Sequence, residues 1–292
     1  MTARRVRAGR VPERAIHRAG GRALAALPLA LLSFVPSSGR AAAGVRADLR
    51  IVPAFFTGDF GSGVDTDITY IPLVLTARGE RNDFRATVPY LSIRSDEPIA
   101  CSGGDVVGRG AGGSTTESGL GDIVLRDDFF FLPGGARGPW VYASLRLKLP
   151  TADETRGLGT GELDYGPGAG LIQPLGAGWH LLGEVLYMVR GDPPGVDFRN
   201  TLWIFLGAQA RASERARIDV FLDRRQSAVR GREAGLDMGL GYHRRLSEGL
   251  DLRSQVFVGL SDTAEDWGLS VGLVLRRSDR RSAPGSRRTE GG

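Results

Sequence analysis

The sequence predicts an all-β fold, a closed antiparallel up-and-down transmembrane β-barrel of about twelve strands. Three observations predict it. Polar and apolar residues alternate at every second position from residue 44 onward, the mark of strands with two unlike faces. The alternating segments run about 10 to 12 residues, the length a tilted strand needs to cross a bilayer, where soluble sheets use about 5 to 6. The connections between them alternate between tight turns and longer polar loops, as periplasmic turns and extracellular loops do in bacterial barrels.

In chain order, the first three strands fall near 47–56, 64–78 and 84–94, and a fourth runs from Gly121 to Phe131. Val141, Ala143, Leu145, Leu147 and Leu149 then alternate with Trp140, Tyr142, Ser144, Arg146 and Lys148. Leu163, Tyr165, Ala169 and Leu171 oppose Glu162, Asp164 and Gly166. Trp179, Leu181, Val185, Tyr187 and Val189 oppose His180, Glu184 and Arg190, and Leu202, Ile204, Leu206 and Ala208 oppose Trp203, Phe205 and Gln209. The last four segments are the cleanest. Ile218, Val220 and Leu222 oppose Arg217, Asp219, Asp223 and Arg225; Leu236, Met238 and Leu240 oppose Asp237 and Gly239. Leu252, Val256 and Val258 oppose Asp251, Arg253 and Gln255; Leu269, Val271 and Leu273 oppose Gly268, Ser270 and Gly272.

A soluble sandwich alternates in the same way. Aromatic residues near segment ends, Phe129, Phe130, Phe131, Trp140, Tyr142, Trp179, Tyr187, Tyr242 and Trp267, favour the membrane barrel and its interfacial girdles. The 43 glycines point to curved sheet. Gly161, Gly166, Gly168, Gly170, Gly239, Gly241 and Gly272, placed within strands, are expected to ease the curvature of closure.

The formal charge of +5 does not describe one basic face. Residues 1–43 carry +7 and residues 277–292 carry +3, so the body between them stands at −5, against a nucleic-acid footprint. The first segment reads as a signal peptide. Arg4, Arg5, Arg7, Arg10, Arg14, Arg18 and Arg22 precede the apolar run Ala23 to Val35, and Ala41-Ala42-Ala43 offers a cleavage site. The domain plan is therefore a signal peptide at 1–43, a barrel at 44–276 and a disordered basic tail at 277–292. The expected location is the outer membrane, with its lipid and the barrel-assembly machinery as partners. The last strand ends on Leu275-Arg276, where such barrels commonly end on an aromatic residue, so either less efficient assembly or a different assembly signal is expected. Oligomeric state is not readable.

In a barrel the polar face lines the lumen. Arg146, Lys148, Asp164, Glu184, Arg217, Asp219, Asp223, Arg225, Asp237, Asp251 and Arg253 are the candidate lining residues. Opposite charges are expected to pair across neighbouring strands, either plugging the barrel or tuning a conduit.

Two segments carry a resemblance. Ser118-Gly119-Leu120-Gly121-Asp122 opens a strand after a long loop; Lys148-Leu149-Pro150-Thr151-Ala152-Asp153 is followed by Leu158-Gly159-Thr160-Gly161-Glu162-Leu163-Asp164. Together they resemble the outer-membrane transporter family labelled "MetA-pathway of phenol degradation", with Ala152 where the family carries Gly. The resemblance implies an outer-membrane barrel that passes small, apolar or aromatic solutes, and it brings no catalytic residues.

No enzyme, cofactor or metal site is expected. His180 and His243 are the only histidines after residue 43, and neither stands in a nucleophile–base pattern. Asp122, Asp127, Asp128, Asp153 and Asp164 match no calcium-loop spacing and read as solvated loop carboxylates. Cys101 reads as a passive loop residue. The expected function is a passive channel or transporter for a small-molecule solute. The alternatives are a structural or adhesive barrel with a packed lumen and, more remotely, a lipid-modifying barrel enzyme.

Overall fold

The computed structural model describes residues 45–96, 99–102, 105–108, 114–132, 134, 138–193 and 198–276. The proposed signal peptide and basic tail lie outside these residues.

The chain folds into a closed antiparallel barrel of twelve strands. The first is made of two pieces, β1 (Arg46–Ile51) and β2 (Ala54–Gly58), separated by Val52-Pro53. Proline has no N–H to give the ladder. Then come β3 (Thr66–Arg78) and β4 (Asn82–Ser95). A small hairpin, β5 (Ile99–Ser102) and β6 (Asp105–Gly108), stands apart from the barrel sheet and includes Cys101. The fourth barrel strand is again broken: β7 (Thr115–Leu120) and β8 (Ile123–Leu132) flank Gly121-Asp122. Eight uninterrupted strands complete the wall: β9 (Trp140–Leu149), β10 (Asp164–Gly176), β11 (Trp179–Met188), β12 (Thr201–Arg211), β13 (Ala216–Arg225), β14 (Gly235–Ser247), β15 (Leu250–Gly259) and β16 (Trp267–Arg276).

Each barrel strand pairs antiparallel with the next, and β16 returns to the first strand through Leu49↔Leu275 and Phe55↔Leu269. Closure leaves no sheet edge, which hydrocarbon demands because it offers unpaired backbone groups no partner. The exposed large apolar side chains lie on the outward faces, and Leu206 and Leu240 are more than half exposed. A belt of this kind far exceeds the apolar patches of a soluble monomer. This excludes the sandwich, whose apolar faces would be covered.

Two expectations need correction. Phe130 and Tyr142 are not girdle residues: they point into the lumen, where their rings meet at 5.2 Å. Strand parity, not nearness to a strand end, decides their side. Gly161 lies in the loop before β10, with a left-handed φ of 72°. The strand glycines also do more than bend the wall. A Cβ on Gly170 would sit 2.1 Å from Cζ of Tyr142, and one on Gly239 would sit 2.1 Å from Cζ of Phe221. These inward glycines make room for aromatic rings of the neighbouring strands.

Candidate functional site: the barrel lumen

The inward faces enclose two adjoining cavities. One, of about 410 Å³, lies toward the end of the long loops; the other, of about 390 Å³, lies toward the tight turns. Arg146, Trp203 and Asp223 line both and mark the boundary between them.

The long-loop chamber has an apolar wall with charged groups set into it. Phe56, Tyr70, Leu91, Met188, Phe221 and Phe257 supply much of the wall. Phe257 packs against Phe56 at 5.3 Å and Phe221 at 5.9 Å. Leu158 reaches in from the loop between β9 and β10; it is only 2% exposed and forms a cluster with Phe60 and Ile93.

The loop is held inward by a polar latch. Asp122, in the break between β7 and β8, accepts hydrogen bonds from the amides of Thr151 at 3.1 Å and Ala152 at 3.0 Å. Lys148, the chain's only lysine, places its ammonium 3.3 Å from Asp122 and 3.0 Å from Asp164. It also donates to the Thr160 hydroxyl at 2.8 Å. A compact ammonium with three donors suits three acceptors around a point, where a planar guanidinium suits two in one plane. Asp164 is in turn bound by Arg190 at 3.0 Å and by the Gly191 amide at 3.0 Å. At the loop tip the amide and hydroxyl of Thr155 both donate to Asp153, which holds its carboxyl below the usual range. Arg156 reaches Glu117 at 2.8 Å. On the far wall of this chamber Arg225 meets Asp237 at 2.7 Å, Asp223 at 3.4 Å and Glu265 at 3.6 Å.

The second chamber is lined by an ion-pair lattice. Arg126 binds Asp128 at 2.7 Å and grips Glu184 with both guanidinium ends, one contact being 2.8 Å. Tyr142 donates to Glu184 at 2.7 Å, and Arg85 lies 3.7 Å from Asp128. Nearer the tight turns, Arg78 bridges Asp48 and Asp83, and Arg276 binds Asp251.

Of the residues proposed from sequence, Arg146, Lys148, Asp164, Asp223, Arg225 and Asp237 line the long-loop chamber, and Glu184 lines the other. Arg217, Asp219, Asp251 and Arg253 line neither. They stand nearer the tight turns, where Asp219 lies 2.7 Å from His243 and Arg253 pairs in register with His243. His180 sits on β11 and His243 on β14, with two strands between them. Sequence reasoning placed Asp122 and Asp128 in solvent and read Asp164 both as a loop carboxylate and as a lining residue; all three are engaged in lumenal ion pairs, and Asp164 is 1% exposed. Of that set, Asp153 does lie at an exposed loop tip, and Asp127 accepts from Asn82 at 3.0 Å on the outward face. Arg85, Arg126 and Glu265 were not proposed at all. The alternation of β4 and β8 carried the signal for the first two. Among the described residues no group could hold a metal ion.

The family described as "Putative MetA-pathway of phenol degradation" matches residues 50–276. The chain belongs to that family. Its two motif segments build the latch: Asp122 closes the first, and Lys148, Thr151, Thr160 and Asp164 come from the second. In fold, this family member is similar to an outer-membrane channel from Pseudomonas putida F1, with a TM-score of 0.62 and 13% identity, over 83% of this chain and 99% of that one. It is also similar to the KdgM porin, with a TM-score of 0.51 and 6% identity, over 79% of this chain and 99% of that one. Among curated proteins none matches.

Proposed function

We propose that this protein is a passive outer-membrane channel for small, largely apolar or aromatic molecules, exported by residues 1–43. The observation that carries the reading is the pair of adjoining chambers in the lumen, of about 410 and 390 Å³, with one boundary layer between them. Each falls within the size range of small-molecule sites. An aromatic wall on one side of that layer and an ion-pair lattice on the other give a solute first an apolar and then a polar environment. The long loops face outward and the tight turns face the periplasm, as in bacterial barrels. Membership of a family described by phenol degradation, and a fold shared with an outer-membrane channel, support the same reading.

Planar-bilayer conductance of the purified barrel tests it, after boiled and unboiled samples are shown to migrate differently. Discrete conductance steps are expected. A folded barrel that passes no current under any condition would overturn the channel and leave a structural barrel with a packed lumen. In a conducting barrel, Arg217→Ala and Asp219→Ala are expected to shift the reversal potential in a salt gradient. Unchanged selectivity would remove both from the permeation path.

A further inference from the structure

We propose that the long-loop chamber binds a small aromatic carboxylic acid, with its carboxylate on Arg146 and its ring against the aromatic wall. The inference rests on the channel reading and names the solute class that reading leaves open.

Six cationic side chains line the two chambers: Arg85, Arg126, Arg146, Lys148, Arg190 and Arg225. Five have carboxylate partners: Arg85 and Arg126 on Asp128, Lys148 and Arg190 on Asp164, and Arg225 on Asp237. Among the described residues Arg146 has none at ion-pair distance. Its guanidinium lies instead over the Trp203 ring, 4.6 Å from the centroid. Arg190 approaches the same ring at 5.7 Å but is committed to Asp164. Among the described residues Arg146 is therefore the one chamber cation with no carboxylate at ion-pair distance, although Asp223 lines the same boundary layer. A desolvated charge without a counter-ion is costly, and a ligand that supplies one recovers that cost.

The form of the site narrows the ligand. A guanidinium is a planar fork that matches both oxygens of a carboxylate. The indole covers one face of Arg146, and the N–H donors of a guanidinium lie in its plane, off that face. Beside it Tyr70, Leu91, Phe221 and Phe257 line the chamber, and aromatic rings pack against such walls. A small hydrated anion would pair with Arg146 but leave the aromatic wall unfilled. A neutral arene would fill the wall but leave Arg146 unpaired. The carboxylates opposite, Asp223, Asp237 and Glu265, are gathered around Arg225 and favour an anion that turns its charge toward Arg146.

The test is calorimetric titration of the refolded barrel with benzoate, benzyl alcohol and acetate. Benzoate is expected to bind saturably, and about tenfold or more tighter than either of the others, since a hydrogen-bonded charge and a buried ring each contribute on that scale. Arg146→Gln is expected to weaken benzoate about 10- to 100-fold and to leave benzyl alcohol unchanged. Arg146→Lys should fall between, because it keeps the charge and loses the fork. Arg94→Gln, whose side chain lies on the outward face of β4, should match the parent. Benzoate binding that is no tighter than benzyl alcohol, or that survives Arg146→Gln unchanged, would overturn the proposal. Should Arg146→Gln fail to fold, the three-ligand series on the parent and Arg146→Lys decide it. Benzoate binding without conductance would overturn the channel and keep the site; conductance without preferential benzoate binding would do the reverse.

Discussion

The two halves of the lumen are built on different physics. Toward the long loops, aromatic and aliphatic side chains surround a chamber into which a loop is latched, and the charges are tied off at its margins. Toward the tight turns, arginines and carboxylates succeed one another in layers: Arg126 with Asp128 and Glu184, Arg78 with Asp48 and Asp83, Arg276 with Asp251. The apolar half offers a solute binding without stating a direction for its charge. The charged half offers little binding and strong discrimination. On the proposed channel reading the difference suits one half to capture and the other to rejection, and Arg146 sits where they meet.

The greatest expected effect lies in the charged half. Arg126→Ala removes the cation shared by Asp128 and Glu184, leaving the two lumenal carboxylates, among the described residues, with Arg85 and the Tyr142 hydroxyl as their remaining ion-pair and hydrogen-bond partners. Breaking a buried pair from one side costs about 3–5 kcal/mol, and the residual exposure of both side chains, 16% and 17%, places this case at about 3 kcal/mol. The temperature at which the barrel loses its compact migration should fall, and single-channel conductance should rise as the layer opens. A variant as stable and as narrow as the parent would mean that the lattice neither supports nor restricts the lumen.

A smaller effect is expected from the latch. Asp122→Ala removes the acceptor for the Thr151 and Ala152 amides and one of the two carboxylates on Lys148. Hydrogen bonds to a charged group contribute about 1.5–3 kcal/mol. Trypsin cleavage after the exposed Arg156 in the folded barrel should therefore accelerate roughly tenfold or more. Binding of benzyl alcohol in the adjacent chamber should weaken with it, because Leu158 no longer closes the wall. Unchanged cleavage would show that the apolar contacts of Leu158 hold the loop without the polar latch.

The wall was legible in the sequence and the lattice only in part. Alternation alone assigns Lys148, Glu184 and Asp237 to the inner face, because parity is a local property of each strand. Lys148–Asp164 also follows locally, since those residues are register partners on adjacent strands. Arg126–Glu184 does not: it joins β8 to β11 across the lumen, skipping two strands, where neighbouring-strand pairing was expected. The isolation of Arg146 is a property of that whole network, so no single strand reveals it. Asp122 was misread for a related reason. Its place at the opening of a strand after a long loop suggested solvent, and only the fold brings the β9–β10 loop back over it.

The smallest effect sharpens the boundary between capture and rejection through pH. Glu265, in the loop between β15 and β16, is 4% exposed. Burial and then the nearby Asp237 raise its carboxyl above the ordinary value, while Arg225 opposes them. A carboxyl whose folded pKa is raised favours the folded state in its protonated form. Its contribution is present below the unfolded value near 4.5 and is lost as pH rises through the folded value. Glu265→Gln mimics the protonated form, so it should equal the parent in acid and exceed it slightly in thermal stability at neutral pH. Arg225 then serves Asp237 and Asp223 alone, which should leave the long-loop chamber less negative and raise the neutral-pH affinity for benzoate. Melting curves of the two proteins that stay parallel from acid to neutral pH would show that Arg225 already compensates Glu265 in full, and that the far wall sets no charge preference in the chamber.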